Sequence, residues 1–185
     1  MAVVITGSTG LTIPAEGVAT SSFGNGGIIQ VVSVTKTDTW TASCGEGDFS
    51  SGVITGLTPS ITPRSSSNKI LLTGYVVISN DIGGSWGAGI VLCNGTTPIA
   101  EARGGSVGSR SLLSGKAEST FRGQSIPINF LDSPATTSAI TYGIKVWNGH
   151  TSTSIVSINY TNDDDTDDNN HIRAASTLTL MEVVA

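Results

Sequence analysis

From Ile28 onward, apolar and polar positions trade places with a period of two. Ile28, Gln30, Val32 and Val34 alternate with Ile29, Val31, Ser33 and Thr35, the pattern of a strand with one face packed and one face open. The pattern extends through residues 37–41, with Thr on one face and Asp38 and Trp40 on the other. Residues 70–79 are apolar on both faces, as expected of a central strand or one at a subunit interface. Residues 87–93 predict another strand, and Asn94-Gly95 after it is a strong hairpin signal. Ile140, Tyr142, Ile144 and Val146 alternate with Thr141, Gly143, Lys145 and Trp147. Asn148-Gly149 then predicts a second hairpin, leading into a strand over 154–160, and the last strand covers 177–184. No segment keeps a helical period of about 3.6 residues for long. Residues 109–120 come nearest, and Ser114, Gly115 and Ser119 oppose a helix there. About eight strands with turns at roughly 8–12-residue spacing predict an all-β protein, an antiparallel β-sandwich of the jelly-roll kind.

Residues 1–27 differ from the rest. Val3, Val4 and Ile5, then Leu11 and Ile13, are short apolar pieces broken by Gly7-Ser8-Thr9-Gly10, Pro14 and Gly17. Neither piece can hold a sheet alone. Because backbone polar groups must be paired somewhere, Val3, Ile5, Leu11 and Ile13 read as an extended N-terminal arm that takes its hydrogen bonds from a neighbour. The alternative is an untethered leader. The division is thus an arm over 1–27 and a sandwich domain over 28–185.

Composition narrows the function. Charged residues make up 12% of the 185, about half the usual globular share, and Ser, Thr and Gly keep the surface polar instead. That suits a protein packed against copies of itself. Net charge is −5 and the nine Lys and Arg are spread singly, so no clustered basic surface invites nucleic acid. No apolar run of about 18 residues predicts a membrane-inserted helix, and the opening residues lack the basic and apolar regions of a signal peptide. Cys44 and Cys93 would be reduced in a cytosol, although a disulfide between them stays open.

Few residue patterns suggest chemistry. Gly-x-Ser-x-Gly occurs at Gly83–Gly87 and Gly104–Gly108, around Ser85 and Ser106. That motif works only on a strained strand-to-helix turn, and neither copy precedes a predicted helix. His150 and His171 read as solvated loop histidines without a paired nucleophile. Asp163, Asp164, Asp165, Asp167 and Asp168 crowd into one loop. Hard cations want many oxygens, so Asp163, Asp165 and Asp167 are candidate Ca2+ ligands outside any EF-hand pattern; the competing reading is a solvated, self-repelling hairpin loop and no cofactor at all. Trp86 and Trp147 lie next to turns and are the candidate exposed platforms for a ligand such as a sugar.

The strands over 28–40, the link Gly56-Leu57-Thr58 to Ile61-Thr62-Pro63 and the strand opening Lys69-Ile70-Leu71 together resemble small β-sandwich domains of tailed-bacteriophage virion proteins, marine ones especially. The opening Ile5-Thr6-Gly7-Ser8-Thr9-Gly10-Leu11-Thr12-Ile13-Pro14 is similar to the start of phage tail-fibre and related structural proteins. The resemblance covers most of the first half of the chain. It implies a trimeric jelly roll, made in the host cytoplasm, held in the virion by its N-terminal arm, and without catalytic residues. Expected partners are other copies of the chain, other virion proteins and a host cell-surface glycan. On this reading the protein is a short tail fibre or fibre tip; the alternatives are a capsid decoration protein and a carbohydrate-binding module.

Overall fold

A computed structural model describes residues 26–81, 86–106, 108–118, 122–161 and 171–185. Among the described residues eleven strands follow one another: β1 Ile28–Lys36, β2 Trp40–Cys44, β3 Ser60–Ile61, β4 Lys69–Asn80, β5 Ala88–Asn94, β6 Thr97–Pro98, β7 Gly115–Ala117, β8 Gln124–Asp132, β9 Ile140–Asn148, β10 Ser154–Ile158 and β11 Ser176–Val183. One sheet runs β1-β11-β4-β10-β2 with β8 on the far side of β4, and the other runs β3-β9-β5-β6 with β7 also on β5. All pairings are antiparallel.

Several of these strands are interrupted pieces of longer ones. β11 pairs β4 from Tyr75 to Lys69, and β10 continues the same edge of β4 at Ile78–Asn80. β1 lies along β11 while β2 lies along β10. Counting β1 with β2, β6 with β7 and β10 with β11, the sheets read first-eighth-third-sixth and second-seventh-fourth-fifth, which is jelly-roll wiring. The inner faces follow the alternation: Val32-Leu180-Leu72-Phe130 forms one cross-strand row of the first sheet. Facing it in the core are Ile90, Leu92, Tyr142, Ile144 and Val146 of the second. Tyr142 is fully buried, and its hydroxyl donates to Asp132 Oδ2 at the end of β8, tying the sheets together.

Two sequence expectations change. The strand predicted through 37–41 breaks after Lys36, because a buried side chain from across the sheet occupies the gap. Asn159, fully buried and at φ 69°, sends its amide to Lys36 O (2.8 Å) and Asp38 O (3.0 Å). Its Oδ1 accepts from Ser176 Oγ (2.6 Å), and its N–H bonds Val77 O (3.0 Å). One residue thus bridges the gap between β1 and β2 and the gap between β10 and β11. Asn148-Gly149, in turn, does not make a hairpin: β9 and β10 belong to different sheets. Asn148 is buried at the crossing, donating to Cys44 O, Gly45 O and Ser152 O and accepting from the His150 N–H. The hairpin after β5 does form, with Asn94 opposite Thr97. Its central pair is therefore Gly95-Thr96, with Gly95 at φ 59°, Gly first as in a type II′ turn.

Removing the Asn159 side chain leaves two backbone carbonyls and a hydroxyl without their partner, each worth about 1–3 kcal/mol when buried. Asn159→Ala should cost about 3 kcal/mol or more in a urea titration. Asn159→Gly, which tolerates the left-handed backbone, should be the milder change by roughly 1 kcal/mol. A loss below about 1 kcal/mol for the alanine variant would show that the break is held by something else.

Candidate functional site

The outer face of the β1-β11-β4-β8 sheet is built from the positions that the alternation turns away from the core. Val31, Met181, Leu71 and Leu131 form one continuous apolar row across all four strands. Val31 and Leu131 are 56% and 46% exposed. The next row is Ser33, Thr179, Thr73 and Asn129, and the one after it Thr35, Thr177, Tyr75 and Pro127. None of these residues is charged; Lys69, beside Val183, is the first charge met at the rim. Four of the six hydroxyls in these rows pair with one another: Ser33 Oγ lies 2.8 Å from Thr179 Oγ1, and Thr35 Oγ1 3.1 Å from Thr177 Oγ1. Covering this face would bury its apolar row without stranding a charge.

At the end of the sandwich where β9 passes to β10, the structure brings the two predicted tryptophans together. A side chain at Gly149 would meet Trp86 O at 2.3 Å and the Trp147 ring at 2.7 Å, so only glycine fits between them. Trp86 is 45% exposed and meets the His150 ring edge-on, with centroids 5.6 Å apart. Trp147 is half-buried, its indole N–H donated to Gly47 O at 2.8 Å. Trp86 thus offers an exposed ring beside His150, while Trp147 is held in the sheet by its bond to Gly47. His150 is half-buried rather than freely solvated, and its Nδ1 bonds the Ser152 N–H and Oγ.

The remaining candidates separate. Val3, Ile5, Leu11 and Ile13 of the arm, Asp163, Asp165 and Asp167 of the acidic loop, and Ser85 lie outside the described residues. The base of the acidic loop is closed by antiparallel pairing of Tyr160 with Arg173, whose guanidinium lies over the Tyr160 ring at 5.2 Å. Ser106 sits in exposed, irregular chain with no helix after it, so the elbow that a Gly-x-Ser-x-Gly nucleophile needs is missing there. Among the described residues no cluster of three or more His, Cys, Asp or Glu could hold a metal ion. No helix among them is long and apolar enough to cross a membrane.

Cys44 and Cys93 are free, buried thiols. Burial pushes both pKa values up, Cys44 to about 11 with the nearby Asp48 carboxylate adding to the effect. Burial and then the bond to Asp132 likewise raise that of Tyr142. What sequence reading missed is β8, which supplies Leu131, Asn129 and Pro127 to the outer face. Ile126, Ile128 and Phe130 alternate there, but Pro127 interrupts the run. A proline is tolerated because β8 pairs with β4 alone and so forms a sheet edge.

No family model and no curated protein sequence matches this chain. Solved structures overlap it partially. The infectious bursal disease virus Gx strain shows 17% identity and a TM-score of 0.38, covering 84% of this chain and 37% of that one. The Gt strain of the same virus gives 18% and 0.39, covering 97% and 43%. The VP2 subviral particle of that virus gives 17% and 0.35, covering 84% and 37%. This chain spans less than half the length of each. At TM-scores this low, the overlaps assign neither family nor function.

The thiols and the phenol have folded pKa values raised above their unfolded ones. Their contribution to stability is therefore complete below the unfolded value and is lost as pH rises through it toward the folded value. Melting temperature should stay level from pH 7 to about 9 and fall above that. Ellman's reagent at pH 8 should titrate neither cysteine before unfolding; rapid reaction of either thiol in the folded protein would contradict the burial described.

Proposed function

We propose that this chain is a structural protein of a virus particle, a tailed-phage short tail fibre or fibre tip that acts as a homotrimer. The observation that carries the reading is the outer face of the β1-β11-β4-β8 sheet. It is uncharged across three rows, crossed by an unbroken apolar row, and four of its six hydroxyls are paired with each other. Such a face gains little from water and is suited to burial against another subunit. A ring of three copies closes contacts of this kind without leaving a growing end. The resemblance of the strand pattern to phage virion domains supports the same reading. The jelly roll by itself does not, since that architecture also serves lectins and other proteins. The role is non-catalytic, and the arm over 1–27 is the attachment to the particle. A capsid decoration protein would use the same face and arm at a different place on the particle.

The test is the solution mass of the full chain by light scattering. The unmodified protein should run at three times 18.8 kDa. Val31→Glu with Leu131→Glu should reduce it to one chain while melting stays within about 0.5 kcal/mol of the parent, as for ordinary surface changes. A trimer that survives both substitutions, or a parent that is monomeric, would count against the face as an assembly surface.

A second reading is favoured by one observation, the exposed ring of Trp86 edge-on to His150. Aromatic faces of this kind stack on sugar rings. A glycan array should then show binding that Trp86→Ala abolishes; an unchanged array profile in that variant would remove the carbohydrate reading.

A further inference from the structure

On the flank where β8 of one sheet faces β5 and β7 of the other, the sandwich does not close. The chain leaves the edge of β5 after Ile99, whose N–H bonds Leu92 O, and returns at Ser114, whose N–H bonds Ile90 O. The excursion is closed at its base by Gly104 N–H to Leu113 O. Beneath it is a cleft of about 420 Å3, within the roughly 300–1,000 Å3 range of small-molecule sites. Leu92, Leu113, Ile128 and Phe130 give it an apolar interior, and Arg103 and Glu101 stand at its polar side.

Arg103 is the unusual member. Its Nε is buried without any hydrogen-bond partner, and Glu101, two residues away, forms no ion pair with it among those present. A buried N–H left without an acceptor is costly, and a guanidinium is shaped to take a carboxylate side-on with two parallel bonds. The apolar interior calls for hydrocarbon beside that head group. Glu101 at the same rim disfavours a doubly charged phosphate or sulfate, because like charges repel in a partly desolvated site. We propose that this cleft binds a small amphipathic monocarboxylate. The carboxylate would sit against the outer nitrogens of Arg103, and the hydrocarbon among Leu92, Leu113, Ile128 and Phe130. The cleft shares Pro127 and Asn129 with the β8 edge of the assembly face but none of Val31, Met181, Leu71, Leu131, Trp86 or Trp147, so its test reads a different set of side chains from the test of the proposed function.

The experiment is a titration of the full chain with octanoate, followed by amide chemical shifts and calorimetry, with 1-octanol and inorganic phosphate as comparison probes. Saturable octanoate binding is expected, with shifts centred on residues 101–104, 113–114 and 128–130. 1-Octanol should bind at least tenfold more weakly, and phosphate should not compete. Arg103→Gln should weaken octanoate about tenfold or more while leaving 1-octanol unchanged. Leu113→Trp, which fills the cleft without touching the charge, should block both, and the melting curve of each variant shows that it is folded. Absence of saturable octanoate binding would overturn the proposal, as would equal affinity for octanoate in the Arg103→Gln variant. Tighter binding of phosphate than of octanoate would also overturn it.

Discussion

The continuity of the larger sheet depends on how one asparagine satisfies the backbone where two neighbouring strands are broken at the same level. β10 and β11 form a single line along β4, interrupted by the excursion that carries the acidic loop. β1 and β2 form the next line, interrupted at residues 37–39. A ladder with coincident gaps would leave carbonyls of Lys36 and Asp38 without partners inside the protein. Asn159 supplies both from its side chain while its own N–H stays on Val77 of β4. Ser176 completes the patch, since its hydroxyl bonds both Asn159 Oδ1 and the Val77 N–H. The register across the outer face runs unbroken from Gln30 to Lys36 of β1 and from Lys69 to Tyr75 of β4, ending where this patch begins.

A second asparagine does the same for the passage between sheets. Asn148 ends β9 in one sheet and holds the last carbonyls of β2 in the other. Gly149 at that corner lets the Trp86 backbone and the Trp147 ring approach from either side.

Most strands were legible because their alternation is strong and their side chains sort cleanly by burial. The central position of β4 was also legible, since residues 70–79 are apolar on both faces and the structure flanks them on both edges. The two asparagines were not. In sequence, Asn148 before Gly reads as a surface turn and Asn159 as one more position of a strand over 154–160, and nothing local marks either as buried at 0% exposure. β8 was hidden by Pro127, although its alternation is present. The meeting of Trp86 with His150 could not be read either, because it joins a turn before β5 to a crossing that the sequence presented as a hairpin. The uncharged face was legible only as a low charge content; its arrangement in rows needs the register of four strands, which sequence periodicity does not supply.

The account makes the outer face of the β1-β11-β4-β8 sheet a surface between subunits. A cryo-electron-microscopy reconstruction of the native assembly, at a resolution that shows side chains, tests that most directly. The account predicts Val31, Met181, Leu71 and Leu131 buried against a neighbouring copy around a threefold axis. A particle in which this row faces solvent, with the contacts made elsewhere on the sandwich, would contradict it.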